Sequence, residues 1–531
     1  MENPRLEHTA HGATVFYSRY LYSRHNPAHR PIAAARAVCA ESRCLYIVPS
    51  PLLGYGLAEL TESIPADSHV LAIEASQELF HLCSPHFSPG LLNNPKLTIV
   101  RLSDEASLNA VLENLGLWRF RRVRQVDLNG GAALHAPLYD SLIAFALEAQ
   151  SSYWHNWHSL RIMGRHWVRH LFANLRWLPA ALPYSSGDLP IVIAGAGPSL
   201  EESLNFIKKK RNLIELWATD TALGTLFSAG ISPDVVTVLE TQFWNHLDFH
   251  GAADRKITIL ADICSYPGSL TIPGCKISLF SSSFTELRLL NRLRTTFPNL
   301  PVIPPLGSVG LAAVQLALSF STQPILLTGL DFSCVPGKSH AQSSSFHKWM
   351  LFSRSRLNPM PGWSAAMDRP RVRIKNFHGE EILSDGILAG YANHFRKCFS
   401  SSRRLFSLTG MADLGIPLLT ESTAEAQLKS AQPTVPSAVN QSSPYSETLV
   451  NEFIAHEIQL LQETILRWNE YSSGGKAPEG LLSALEDIDH LYCGFPDEPP
   501  LPKSDNNFLF RAITRCRELY GDLIRFYPGM K

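Results

Sequence analysis

The sequence lacks most features that mark secreted, membrane-spanning or zinc-stabilised proteins. Its nine cysteines are an odd number and include no CxxC pair, which argues against a disulfide framework and a structural zinc site. No apolar run approaches the roughly 18–20 residues that a membrane-spanning helix needs. The first residues, MENPRLEHTAHG, lack the basic and apolar segments of a secretory signal. We therefore expect a cytoplasmic protein in a reducing compartment.

An excess of charge of either sign is also absent. The 47 basic residues balance the 47 acidic ones, so composition does not support a general role in binding nucleic acid or anionic membranes; local patches remain open. Of the 531 residues, 45% are hydrophobic, which is enough for roughly two to four domains with cores.

Complete nucleotide-binding motifs are missing too: there is neither GxGxxG at a strand end nor GxxxxGK[ST]. A partial motif follows the predicted strand at 44–51, where Gly54 and Gly56 precede Glu74 at the end of a second predicted strand, 68–76. Such spacing is typical of dinucleotide or S-adenosylmethionine sites, in which the acid binds ribose hydroxyls. Since the third glycine is absent, the alternative is a Rossmann-like unit whose glycines only shape a turn.

Strands and helices alternate most clearly between residues 190 and 420. Apolar segments predict strands at 191–195, 216–220, 235–240, 257–263, 276–281 and 324–332, and helices at 199–210, 221–230 and 309–320. Apolar strands that alternate with helices predict a parallel sheet covered on both faces, and hence an α/β fold.

Composition divides the chain into five segments. We predict an N-terminal Rossmann-like α/β domain at 1–150, a helical connector at 151–189, a central α/β domain at 190–420, a linker rich in Ser, Pro and Gln at 421–446, and a C-terminal helical domain at 447–531.

The stretch IVIAGAGPSLEESL (191–204) joins a predicted strand to a predicted helix. At the carboxyl end of a parallel strand the chain borders the crevice in which open α/β sheets bind ligands. Glycines allow a ligand close to the main chain, and a helix start attracts anions such as phosphate. Ser199 and Glu202 also match the capping box S-x-x-E, so the alternative is a helix start alone.

Four ordered blocks carry a family resemblance. AGAGPSLEESL, WATDTALGTLFSAGISPDVVTVLE (217–240), GSVGLAAVQLAL (307–318) and ILLTGLDFSCVPGKSHA (325–341) resemble the signature blocks of the motility accessory factor (Maf) family, flagellin glycosyltransferase-like proteins with a 6-hydroxymethylpterin diphosphokinase MptE-like core domain. The match covers 190–420. The same core resembles bacterial sialyltransferases that use CMP-sialic acid, many of which have Asn where this chain has Ala196.

The resemblance implies a sialyltransferase-like central domain and an enzyme, a CMP-nonulosonate-dependent glycosyltransferase. It would transfer a pseudaminic or legionaminic type sugar from a CMP-sugar to Ser or Thr of flagellin, supporting flagellar assembly and motility. The implied partners are this donor and flagellin, with no tightly bound cofactor, no metal and no nucleic acid.

The resemblance also implies nucleotide-binding residues. These are Gly195, Ala196, Gly197, Pro198, Ser199, Asp220, Glu240, Gly307, Ser308 and Gly310. The N–H groups of Gly195 and Gly197 and the Ser199 hydroxyl would hold the phosphate. Asp220 and Glu240, each at a predicted strand end, would bind ribose, cytosine or the sugar; the alternative is that each caps the following turn. The loop at 307–310 would close over the nucleotide, unless Ser308 is only a helix N-cap.

Catalytic candidates come from the block at 325–341. Transfer needs stabilisation of the leaving phosphate and a base for the acceptor hydroxyl. Lys338 suits the first role, and His340 or Asp331 the second, because histidine titrates near neutral pH. His378 and His394 are further candidates, and the alternative for His340 is a loop histidine without a catalytic role.

Two alternatives remain open at this level. One is diphosphokinase-like transfer from ATP with Mg²⁺, for which Asp220, Glu240 and Asp331 are candidate metal ligands. The other is a non-catalytic flagellin-binding factor, because a fold does not guarantee an activity.

Overall fold

The computed structural model describes residues 3–333, 335, 338–359, 371–429, 443–472, 479–495 and 501–530. The chain forms two units, Met1–Ile162 with Cys493–Leu501, and Met163–Tyr492 with Pro502–Lys531. Among the helices of the described ranges, none combines the length and the apolar character needed to cross a membrane.

The first unit is built on a four-stranded parallel sheet in the order β6-β5-β4-β7. Its strands are β4 (Cys44–Pro49), β5 (His69–Glu74), β6 (Leu97–Arg101) and β7 (Arg122–Gln125), and an antiparallel meander precedes it, β1 (Arg5–Thr9), β2 (Gly12–Tyr17) and β3 (Arg19–Tyr20). Every residue of β4 and β5 is buried, as their continuous apolar sequences require of central parallel strands. The two strands predicted here are confirmed.

Helices connect the strands of this sheet. They are α1 (His29–Arg36), α2 (Leu57–Ser63), α3 (Gln77–Cys83), α4 (Pro89–Leu92), α5 (Glu105–Leu115) and α6 (Ala136–Asn174). Helix α6 includes the boundary between the units and begins well before the predicted connector at 151–189, because its apolar residues Tyr139, Leu142 and Ala146 already pack into the core of the first unit.

The second unit contains an eight-stranded sheet in the order β13-β12-β11-β10-β9-β8-β14-β17, with every pair parallel. The strands are β8 (Ile191–Ala194), β9 (Glu215–Thr219), β10 (Val235–Val238), β11 (Thr258–Asp262), β12 (Lys276–Ser282), β13 (Val302–Ile303), β14 (Ile325–Thr328) and β17 (Leu405–Ser407). All six strands predicted between 190 and 420 are present, and the α/β fold with a parallel sheet is confirmed.

Helices cover this sheet. They are α7 (Leu200–Lys210), α8 (Leu223–Ser228), α9 (Arg288–Thr296), α10 (Val309–Phe320) and α12 (Gly386–Phe399). The core joins large side chains of the strands, such as Trp217 and Phe280, to the small residues Ala312 and Ala313 of α10 and to Phe395 of α12. Each large buried side chain contributes about 1.5–3 kcal/mol through removal of apolar surface from water.

A long insertion separates β14 from β17. It holds α11 (Ser345–Phe352) and the antiparallel hairpin of β15 (Arg371–Lys375) and β16 (Glu381–Asp385) before α12. After β17, residues 421–429 of the predicted linker form helix α13 (Glu421–Lys429), because Ala424 and Leu428 are buried on one side of it. Residues 430–442 of that linker lie outside the described residues.

The C-terminal helices belong to the second unit. They are α14 (Glu447–Ser472), α15 (Glu479–Asp487) and α16 (Asn506–Phe526). Arg292 of α9 pairs with the buried carboxylate of Glu457, and the ring of Phe297 lies 5.4 Å from that of Phe453. The helical character predicted for 447–531 is present in its described part.

Candidate functional site

The order of the strands places a topological switch point between β8 and β14. From β8 the chain adds β9 to β13 on one side of the sheet, and then crosses to add β14 and β17 on the other. At such a point the connections leave in opposite directions, which opens the crevice in which doubly wound sheets bind ligands. The loops that follow β8 and β14 border it: 195–199 and 329–333.

These two loops are held together through their main chains. The N–H of Gly195 donates to Thr328 O at 2.8 Å, and the N–H of Gly197 donates to Gly329 O at 2.8 Å. A Cβ at Gly197 would overlap a carboxylate oxygen of Asp331, so the glycine is required by close approach of the loops. The two amides predicted to hold phosphate donate instead to protein carbonyls, which corrects that assignment for this structure.

Ser199 completes the connection through its side chain. Its N–H donates to Asp331 Oδ2 at 2.8 Å, and its hydroxyl donates to Asp331 Oδ1. Both residues are buried. Ser199 makes no side-chain cap to α7, so the capping-box interpretation is wrong: the hydroxyl is already used by a carboxylate with two acceptor oxygens.

The same pairing decides the state of Asp331. Burial raises the pKa of its carboxyl, and the hydrogen bonds from Ser199 act in the opposite direction. A carboxylate that already accepts from Ser199 on both oxygens is better suited to hold the loop than to remove a proton from an acceptor, so among the predicted bases Asp331 is disfavoured.

A chain of hydrogen-bonded hydroxyls extends behind Ser199. Thr409 Oγ1 donates to Ser199 O at 3.1 Å and lies 2.6 Å from Thr328 Oγ1, which in turn lies 2.6 Å from Ser203 Oγ. Thr409 follows β17, beside β14 in the sheet. Nothing in the sequence around Thr409 indicated this position; only the pairing of β17 with β14 does.

Lys338 and its neighbours cross over the start of α7. Lys338 Nζ pairs with Glu201 Oε2 at 2.8 Å, and Gln342 N donates to Glu201 Oε1 at 2.6 Å. The N–H of Ala341 donates to Ala196 O at 2.8 Å. This segment is thereby attached to the 195–199 loop, and Glu201 is a site residue that the sequence did not reveal. Gly337, which belongs to the same predicted loop, lies outside the described residues.

His340 is in the same segment and is partly buried. Its Nδ1 lies 3.1 Å from Ser339 Oγ, and its ring is 4.8 Å from that of Phe346. Burial lowers its pKa to about 4, so the imidazole is neutral at pH 7. Among the other predicted histidines, His378 is exposed in the turn of the β15–β16 hairpin and His394 is on α12.

Carboxylates cluster after the next two strands. Asp220 follows β9 and is fully buried; its Oδ1 accepts from the N–H of Thr221 at 2.9 Å, while its Oδ2 has no hydrogen-bond partner among the described atoms. Burial raises its pKa, and the carboxylates of Asp248 and Glu240 raise it further. Burial also raises the pKa of Asp248 and of Glu240.

This cluster brings together two predicted residues and one that was missed. Asp248 lies in the 3-10 turn Phe243–Phe249, and its local sequence carries no motif. Asp220 accepts from Thr221 as a turn cap would, which was the alternative stated for it. Burial and the neighbouring carboxylates stabilise the protonated form of Asp220. We therefore expect this cluster to bind a proton near neutral pH.

The loop at 307–310 lies close to Leu330, which follows β14 at the switch point. A Cβ at Gly310 would lie 2.6 Å from Leu330 Cδ2, and a Cβ at Gly195 would lie equally close to that atom. Ser308 occupies the N-cap position of α10, as the alternative stated, but its side chain makes no capping hydrogen bond. Gly307 has a φ of 71°, a conformation that glycine adopts without strain.

Known proteins match this part of the chain. Residues 168–336 match the family model described as 6-hydroxymethylpterin diphosphokinase MptE-like. The matched range holds β8 to β14, and therefore the switch point, the 195–199 loop, the Asp220 cluster and Asp331.

A solved structure, "Structure of MAf glycosyltransferase from Magnetospirillum magneticum AMB-1", shares the fold of the whole chain. The TM-score is 0.57 at 14% identity, over 100% of this chain and 91% of that one. The two proteins have the same overall fold. Together with the match to the MptE-like family model, this likeness confirms the predicted resemblance to Maf and MptE-like proteins; the relation to sialyltransferases stays a prediction.

Two chains of Treponema pallidum (strain Nichols), both described as "Uncharacterized protein", are similar in sequence. One is 28% identical over 421 residues, which cover 76% of this chain and 72% of the relative. The other is 31% identical over 83 residues, 15% of this chain and 40% of the relative. Neither description names an activity.

The matched range does not present a ready metal site. Within the described ranges, no three or more His, Cys, Asp or Glu side chains are grouped to hold an ion. Asp331, one candidate ligand for Mg²⁺, is directed to Ser199 instead. Asp220 and Glu240, the other two candidates, form no such group with Asp248 either, so the residues present do not fit a resident Mg²⁺.

The partial motif of the first unit is also explained by internal contacts. Glu74 Oε2 accepts from Ser50 Oγ at 2.9 Å, and Glu74 Oε1 accepts from Ser76 N at 3.0 Å and Tyr139 OH at 3.1 Å. These bonds use the carboxylate that a ribose would need. Gly54 and Gly56 have φ values of 76° and 86°, so the turn-forming alternative is favoured.

Proposed function

We propose that this protein is a glycosyltransferase that transfers a nonulosonic acid of the pseudaminic or legionaminic type from a CMP-sugar to a Ser or Thr hydroxyl of flagellin. The observation that carries the proposal is the switch point between β8 and β14, bordered by the 195–199 loop and Asp331, within a fold shared with a Maf glycosyltransferase. Its acceptor would make it a factor in flagellar assembly, acting in the cytoplasm.

In this proposal the Ser199–Asp331 pair holds the shape of the crevice. Because the hydrogen bonds of Gly195, Gly197 and Ser199 are internal, the loop is rigid before a nucleotide arrives, and preorganised sites lose less entropy on binding. The ligand then contacts the outer surface of this loop rather than the amides first assigned to it.

Lys338 and His340 would have different roles in the transfer reaction. Breaking the bond between the sugar and the CMP phosphate leaves negative charge on that phosphate, which Lys338 would stabilise after exchanging Glu201 for the phosphate. The acceptor hydroxyl loses its proton as its oxygen bonds to the sugar, and the neutral imidazole of His340 would take that proton. The lowered pKa keeps the imidazole of His340 unprotonated over the whole neutral range, and it also makes this imidazole a weaker base than one whose pKa lies near 7.

The family description favours one other activity, pyrophosphate transfer from ATP to a pterin. Against it stands the absence, within the described part of the chain, of grouped metal ligands of the kind that phosphoryl transfer employs. A ligand panel of CMP, CTP, ATP with Mg²⁺, and S-adenosylmethionine separates these activities by calorimetry and thermal shift, since a ligand of the folded state raises its melting temperature.

We expect CMP to bind and Lys338→Gln to weaken that binding, whereas Lys208→Gln, at an exposed lysine on α7, should bind as the native chain does. Binding of ATP with Mg²⁺ alone would favour the diphosphokinase. A protein that binds flagellin yet leaves it unmodified, with or without His340→Gln, would support the non-catalytic alternative.

A further inference from the structure

Exposed apolar side chains are concentrated on the insertion between β14 and β17. Four of them fall between residues 349 and 357: Trp349, Leu351, Phe352 and Leu357. Phe352 is 88% exposed and Leu357 is 89% exposed. Single exposed apolar residues are common on protein surfaces, but a group this dense marks an interaction site.

Three of the four, Trp349, Leu351 and Phe352, lie on helix α11, which is anchored on its other side. Phe346 packs on the ring of His340, Met350 is buried, and the hydroxyl of Ser344 caps the helix by accepting from His347 N. Residues 351–359 are all exposed. Helix α11 therefore holds Trp349, Leu351 and Phe352 outward, and Leu357 lies beyond its end.

A second exposed apolar group lies beside the first. The turn Phe243–Phe249 exposes Phe243, Trp244 and Leu247, and Ser345 Oγ lies 3.4 Å from Leu247 O. We call the two groups together the apolar surface: Phe243, Trp244, Leu247, Trp349, Leu351, Phe352 and Leu357.

Basic side chains lie next to the exposed apolar residues of the insertion. Residues 338–359 contain Lys338, Lys348, Arg354 and Arg356 and no Asp or Glu. Lys338 pairs with Glu201. Lys348, Arg354 and Arg356 are exposed among the apolar side chains.

We propose that the apolar surface, with Lys348, Arg354 and Arg356, binds the protein peripherally to an anionic phospholipid bilayer. Basic residues attract anionic headgroups, and Trp, Phe and Leu side chains enter the boundary between headgroups and acyl chains. The leucines cannot stack on bases as aromatic residues do, which disfavours single-stranded nucleic acid. Phe352 and Leu357 are almost completely exposed, and such side chains can enter the fluid hydrocarbon of a bilayer without a pocket of complementary shape.

Binding to lipid does not depend on the proposed reaction. Both concern the second unit, but the apolar surface would bind lipid whether or not the crevice binds CMP. A failure of one experiment therefore leaves the other standing.

The test is co-sedimentation of the full chain with vesicles of phosphatidylglycerol and phosphatidylcholine, and with vesicles of phosphatidylcholine alone. We expect binding to the anionic vesicles that weakens with added salt, and much weaker binding to the neutral ones. Absence of binding to anionic vesicles at low salt would overturn the proposal.

Two double variants, each at exposed positions outside the core, separate the apolar from the electrostatic contribution to lipid binding. The double variants Phe352→Ser with Leu357→Ser, and Arg354→Gln with Arg356→Gln, should each reduce binding by roughly tenfold or more. The controls are Phe510→Ser, at a phenylalanine that is 61% exposed elsewhere, and Lys208→Gln with Arg525→Gln. Lipid binding would be contradicted if the variants and the controls lost vesicle binding equally. It would also be contradicted if only the arginine variant lost vesicle binding and single-stranded DNA or an acidic protein competed with the vesicles.

Discussion

Ser199 and Asp331, 132 positions apart, are joined by two hydrogen bonds at the carboxyl ends of adjacent strands. The pair ties the loop after β8 to the loop after β14 at the switch point of the sheet. Each partner satisfies a buried polar group of the other, so removing either one takes a hydrogen-bond partner from a buried group.

The first prediction tests this pair. Ser199→Ala leaves the Asp331 carboxylate with one donor fewer, and we expect a loss of about 1–3 kcal/mol in the free energy of unfolding. Asp331→Asn should cost a similar amount, and the double variant less than the sum, with a coupling of about 0.5–3 kcal/mol. Urea unfolding measures all three. Additive effects would show that the two side chains do not act together.

The second prediction concerns the close approach of the loops. Gly197→Ala adds a Cβ that overlaps the Asp331 carboxylate, and overpacking of this kind costs about 1–3 kcal/mol. The matched control is Gly390→Ala in α12, where a Cβ meets nothing within 4 Å and should stabilise the helix by up to about 1 kcal/mol. Thermal unfolding of both variants measures the change in stability. A Gly197→Ala protein as stable as the native one would mean that the two loops can move apart without cost.

The third prediction is a pH dependence that originates at Asp220. Its pKa in the folded chain is raised by burial and by neighbouring carboxylates, so its protonated form is stabilised by folding. The contribution is complete below the ordinary pKa of about 3.9, and it is lost as pH rises through the raised folded value. Asp220→Asn should therefore flatten the decline in stability toward alkaline pH.

Urea unfolding of the native chain and the Asp220→Asn variant from pH 5 to pH 8 measures this difference. Asp140→Asn removes an exposed carboxylate of the first unit and serves as the charge-matched control. Parallel curves for native and Asp220→Asn proteins would show that folding does not raise the pKa of Asp220.

The fourth prediction separates the roles of Lys338. Its pair with Glu201 is partly exposed, and pairs of this kind contribute only about 0–1 kcal/mol, so Lys338→Gln should leave the melting temperature nearly unchanged. Under the proposed function the same variant should lower kcat by about 10²-fold, because a charge that stabilises the transition state is lost. Sugar transfer to flagellin, followed by mass spectrometry, measures the rate. A large loss of stability with unchanged transfer would make Lys338 a structural residue.

Much of the fold could be predicted because its signals are local. Strands such as β8 and β14 are short apolar runs, and helices such as α7 and α10 follow them with helical periodicity. The four ordered blocks also located the loops of the site. Local patterns of this kind do not depend on which strands become neighbours.

The partners within the site could not be predicted, because they come from distant parts of the chain. The capping box at Ser199 is a sound local pattern, yet the hydroxyl donates to Asp331 instead. Asp248 and Thr409 carry no motif, and Glu201 lies in the first family block without an assigned role. Each became part of the site only through strand order or loop packing.

The sequence by itself determined the alternation of strands and helices, the parallel sheet and the positions of the loops, since hydrophobic periodicity and glycine content act over a few residues. Only the tertiary structure decided that β14 lies beside β8, and with it which donors and acceptors are used inside the protein. A buried polar group takes the nearest partner that folding supplies, and at Ser199 that partner is an aspartate 132 residues away.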